Sequence, residues 1–119
     1  VIGGTTTITS NKIYTSIVTL TTSGLATNVS SCTAVGSDAC GVVTITTSAL
    51  TAAGDLATIN FSSSYSSAPI VMLNVIKNST TVTSLFVSTV TASSFVIATG
   101  ASGLNTGTYR YNYMCMGTV

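Results

Sequence analysis

At 119 residues the chain has the size of one ordinary domain, long enough to bury a core without obligatory help from a metal or disulfide. Hydrophobic residues make up 45% of it and charged residues only 4%, against roughly a quarter charged in ordinary soluble domains. A formal charge of +1 leaves no electrostatic footprint for nucleic acid or an anionic membrane, and the absence of histidine removes the usual general base and the commonest metal ligand.

Five charges, Lys12, Lys77 and Arg110 against Asp38 and Asp55, do not keep a surface wet, so hydroxyls must do it. Thr and Ser supply roughly a third of the chain, and Thr also favours the pleated, half-buried surface of a strand. Glu and Gln are absent and other strong helix formers are few. The composition therefore predicts an all-β fold. No apolar run approaches the ~20 residues that span a bilayer, so membrane insertion is not expected. The N-terminus lacks the basic head and apolar core of a signal peptide, which is the expectation for a chain already processed, cut from a larger protein or released by lysis.

In chain order, residues 5–9 (TTTIT) and 12–21 (KIYTSIVTLT) flank Ser10 and Asn11 as a hairpin, with Ile13 and Ile17 on one face and Tyr14, Val18 and Leu20 on the other. A weaker strand follows at 26–34. Segment 41–47 places Val43 and Ile45 on one side, and 56–61 places Ala57, Ile59 and Phe61 on one side. A serine-rich loop surrounds Tyr65. Pro69 then opens the most apolar strand, 70–76, where its missing N–H costs the ladder nothing. Strands 84–90 and 94–99 are joined by TASS, and a Gly-rich loop over 100–107 leads into the last strand, 108–116. Some eight short strands separated by Gly, Ser and Asn clusters predict an antiparallel β-sandwich of jelly-roll or lectin-like type.

The last strand alternates: Tyr109, Tyr111, Tyr113 and Cys115 share one face, Arg110, Asn112, Met114 and Met116 the other. The tyrosines read first as core or subunit-contact residues, and second as an aromatic contact face for a sugar or base, with Arg110 nearby.

Catalytic, cofactor and metal sites are not expected. A carboxylate pair would have to be Asp38 with Asp55, and both stand in turns where Asp caps backbone N–H groups. Three cysteines without histidine make no structural zinc set. In an extracellular setting one disulfide is expected, Cys32 with Cys40 as the simplest bridge or Cys40 with Cys115 as the alternative. Asn-x-Ser/Thr triplets begin at Asn28, Asn60 and Asn78. Asn78 is the best-placed glycosylation candidate, Asn28 the next, and Asn60 the weakest because it lies inside a predicted strand.

Four landmarks, GSDACGVVTITTS (36–48), LATINFSSSYSSAPIVML (56–73), VSTVTASSFVIAT (87–99) and YRYNYM (109–114), give residues 36–119 an order that resembles the C-terminal β-sandwich domains of phage and viral fibre, spike or head-decoration proteins. More faintly it resembles the small snail-type lectins. The resemblance implies a homotrimeric module on a virion surface or in the extracellular space that binds without catalysis, its partners being copies of itself and a host receptor or glycan. Residues 1–35 fall outside it and read as stalk, extra hairpin or a strand donated to a neighbour. Strand donation would make the chain an extracellular filament subunit, and a free-standing lectin is a further alternative.

Overall fold

The computed structural model describes residues 18–77 and 85–118. They form eight strands: β1 (Val18–Ser23), β2 (Val29–Gly36), β3 (Cys40–Thr47), β4 (Gly54–Asn60), β5 (Ile70–Lys77), β6 (Leu85–Val90), β7 (Ser94–Thr99) and β8 (Gly107–Met116). There is no helix among the described residues. The strand expected at 5–9, and the part of the 12–21 strand before Val18, lie outside them, as do any stalk or donor roles for that segment.

Every pairing is antiparallel, and the strands follow one another in the order β5-β8-β3-β2-β1-β4-β7-β6. The arrangement is barrel-like, one nearly closed sheet rather than two separate layers. The physical reason is β1. Its first half pairs with β2, Leu20 opposite Ala34, and its second half pairs with β4, Thr22 opposite Ile59. One short strand thus hands the ladder from one wall to the other, and the sheet turns a corner there without an edge. Bulges between Val29 and Ser31, Asp55 and Ala57, and Val87 and Thr89 add local twist that helps it curl. Strands β1 and β2 sit mid-sheet, so residues 18–36 are integral to the fold.

Period-two alternation fills the interior. Val43 and Ile45 of β3, Phe95 and Ile97 of β7, and Tyr109, Tyr111, Tyr113 and Cys115 of β8 all point inward and are buried. The bulge in β4 breaks the alternation, which lets the consecutive residues Leu56 and Ala57 both reach the core together with Ile59 and Phe61.

Each end of the barrel has its own closure. At one end Phe61 meets Tyr65 edge-on with centroids 5.0 Å apart, and Phe95 bridges Phe61 to Tyr113 at 5.7 and 5.6 Å. At the other, Leu104 plugs the interior and is clasped by Thr51: the Thr51 N–H donates to the Leu104 carbonyl at 2.9 Å, and the Leu104 N–H donates to Thr51 Oγ1 at 2.8 Å. Gly103 makes that clasp feasible, since its φ of +64° and the closeness of the Thr51 carbonyl leave no room for a side chain.

Candidate functional site

The two carboxylates are far apart and both are structurally engaged. Asp38, in the β2–β3 turn, accepts from the Ser62 N–H at 2.7 Å, the Ser62 hydroxyl at 2.6 Å and the Ser63 N–H at 2.9 Å, while its carbonyl accepts the Tyr65 hydroxyl at 2.6 Å. It ties the turn to the loop after β4. Asp55 stands at the opposite end of β4 and accepts the Ser88 hydroxyl at 2.8 Å. Seven residues of extended chain between positions 55 and 62 put the two acids on the order of 20 Å apart. They do not converge on one substrate.

The aromatic strand does not present a contact face. Tyr109, Tyr111 and Tyr113 lie inside the barrel, and Arg110 is on the opposite, exposed side of β8. Tyr109 donates its hydroxyl to the Asn105 carbonyl at 2.9 Å and Tyr113 to the Ser37 carbonyl at 2.7 Å, so these polar tips are anchored to backbone. Burial pushes the Tyr65 hydroxyl up to about 12 and raises that of Tyr113 as well. Phe86 is the exposed aromatic ring among the described residues.

All three cysteines are free. Cys32 pairs across the ladder with Ile45, five residues along β3 from Cys40, roughly 16 Å away at strand spacing, whereas a disulfide needs Cα atoms within about 7 Å. The bridge expected from their short separation in sequence is therefore corrected by the register: both lie in a hairpin, but not opposite each other. Cys40 faces Met114, one residue from Cys115, yet alternation turns Cys115 inward and Cys40 outward. Burial pushes the Cys32 and Cys115 thiols each up to about 12.

Of the glycosylation candidates, Asn78 lies outside the described residues. Asn28 occupies a left-handed turn at φ 71° and its amide donates to the Leu50 carbonyl at 2.8 Å. The Asn60 amide is shared between the Thr21 carbonyl and the Ser23 hydroxyl.

The most distinctive surface is one that the sequence does not single out: the outer face of β5, β8 and β3. Register aligns Ile70 with Met116, Met72 with Met114, Cys40 with Met114, and Asn74 with Asn112 and then Val42. Ile70 is 63% exposed and Met116 51%, with Met72 and Met114 close behind, so four large apolar side chains stand together on the outer side of β5 and β8. An open groove of ≈ 600 Å³ runs along this face, lined by Cys40, Val42, Met72, Asn74, Asn112 and Met114 among others. None of its lining residues is charged; the nearest charge along the face of β8 is Arg110, opposite Thr44. Alternation had placed Met114 and Met116 away from the tyrosines, but which strands flank them is a matter of long-range pairing.

No protein family, curated protein or solved structure matches this chain.

Proposed function

We propose that the chain is a non-catalytic assembly module of a virion surface, a fibre, spike or capsid-decoration domain, that packs against copies of itself and attaches the particle to its host through loops at one end of the barrel. The observation behind assembly is the stretch of the outer face of β5, β8 and β3 around Met72 and Met114, which carries no charge until Arg110 further along β8. Its four large exposed side chains, Ile70, Met72, Met114 and Met116, come to about 400 Å² of apolar surface, as large as the biggest patch on an ordinary monomer. Val35, Val42 and the Asn74–Asn112 pair adjoin these side chains and enlarge the patch. A second copy is the fitting occupant, since the uncharged patch around the groove meets no electrostatic penalty on meeting itself.

The virion setting rests on the order of landmarks along residues 36–119, and the fibre-end family it resembles is two-layered and trimeric. Non-catalysis is supported by the dispersal of Asp38 and Asp55 in a chain without histidine. A filament built by strand exchange is the second reading. It is favoured by β5 and β6, which end the sheet with a hydrogen-bonded neighbour on one side only among the described residues. The lectin reading loses its stacking platform, because the tyrosines of β8 are buried.

Native mass spectrometry and sedimentation at micromolar concentration test this. Discrete homo-oligomers are expected, and Met72→Lys with Met116→Lys should reduce them to monomers. A wild-type chain that stays monomeric would sink the assembly reading. Open-ended polymers lost on deletion of residues 1–17 would replace it with the filament.

A further inference from the structure

The same face holds a second kind of chemistry. The chain has three methionines, and all of them, Met72, Met114 and Met116, stand on the outer side of β5 and β8. Elsewhere its exposed apolar positions use Val, Leu, Ile and Phe, as at Val35, Leu50, Val75 and Phe86. A docking patch alone does not require sulfur. Register then sets three sulfur-bearing side chains in one row across three adjacent strands: Met72 opposite Met114, and Met114 opposite Cys40. Direct cross-strand partners have Cβ atoms about 4.5–5.5 Å apart, and a methionine with three rotatable bonds can carry its sulfur across such a gap. All three residues line the same open groove.

We propose that Cys40, Met114 and Met72 bind one soft monovalent cation, Cu(I) or Ag(I), at the centre of this row. The Cys40 thiol gives up its proton to solvent as the sulfur–metal bond forms, and the two thioethers each contribute a lone pair. The metal enters and remains as a +1 ion, so no oxidant or reductant is involved, and thiolate plus cation leave the site neutral. Thioether and thiolate donors select such ions over harder ones. The hard alternatives are missing locally: there is no histidine, and the Asp38 carboxylate is occupied by Ser62 and Ser63. The other two thiols are poor rivals. Cys32 and Cys115 are buried in the core and do not line the groove, whereas Cys40 opens onto it.

The test is anaerobic titration of the reduced full chain with Cu(I) supplied as its acetonitrile complex, against a chromophoric Cu(I) chelator, with native mass spectrometry for stoichiometry. One Cu(I) per subunit is expected and no retained Zn(II). Met114→Leu and Met72→Leu should each weaken binding at least tenfold, and Cys40→Ser more, while Met116→Leu and Cys115→Ser leave it unchanged. Leucine preserves the apolar face, so oligomers should persist in the methionine variants, which separates failure of this site from failure of assembly. Absence of bound Cu(I) at micromolar metal would overturn the proposal. So would binding indifferent to both methionines, which would mean a lone thiol, or binding that follows Cys115.

Discussion

Replacing Asp38 with alanine removes one acceptor from three donors at once. The Ser62 N–H, Ser62 hydroxyl and Ser63 N–H all end on its carboxylate within 2.9 Å. Hydrogen bonds to a charged group are worth about 1.5–3 kcal/mol net, but this carboxylate is partly solvated and water can substitute in part, so about 1 kcal/mol each is the reasonable scale. The sum is about 3 kcal/mol. At roughly 4 °C per kcal/mol for a domain near this size, Asp38→Ala should melt some 12 °C below wild type. Asp38→Asn should fall between, because one amide oxygen can serve only part of the set. Asp55→Asn, which disturbs a single exposed bond from Ser88, should cost less than about 1 kcal/mol. Urea denaturation followed by circular dichroism reads all three, with the slope m unchanged if only stability moves. If Asp38→Ala and Asp55→Asn proved equally mild, the claim that Asp38 is a structural tie would be refuted.

Other outcomes follow from particular contacts. Thr99 Oγ1 is buried without a hydrogen-bond partner among the described residues, so Thr99→Val should be neutral or stabilise by up to about 1 kcal/mol, and a clear loss in thermal unfolding would reveal a missed partner. Gly103→Ala should lose about 2–3 kcal/mol, since its left-handed φ and the adjacent Thr51 carbonyl both resist a Cβ; a crystal structure or urea titration showing an undisturbed Thr51–Leu104 clasp would count against this. Stability should also fall in alkali. The Cys32 and Cys115 thiols are protonated in the fold up to about 12, whereas in the unfolded chain they ionise from about 8.5, so the unfolded state holds fewer protons in between. Their contribution is complete below about pH 8.5 and declines from there toward pH 12; Cys32→Ala should flatten that decline when urea midpoints are compared across pH.

Among the described residues, sequence by itself determined most of the strands and their faces. The alternation that assigns Tyr109, Tyr111, Tyr113 and Cys115 to one side of β8 is a local property of extended chain, and the buried side of that strand follows it residue by residue. The same holds for Val43 and Ile45. Where a bulge intervenes the local rule breaks, and the burial of Leu56 beside Ala57 was not legible.

Tertiary structure alone decided what depends on strand order and register. β1 divides its ladder between β2 and β4, which turns an expected pair of layers into one nearly closed sheet. Register separates Cys32 from Cys40 and brings Met72, Met114 and Cys40 into a row, though Met72 and Met114 are far apart in sequence. Period two says which way a side chain points, but carries no information about which distant strand lies beside it, because that choice is set by the packing of the whole interior.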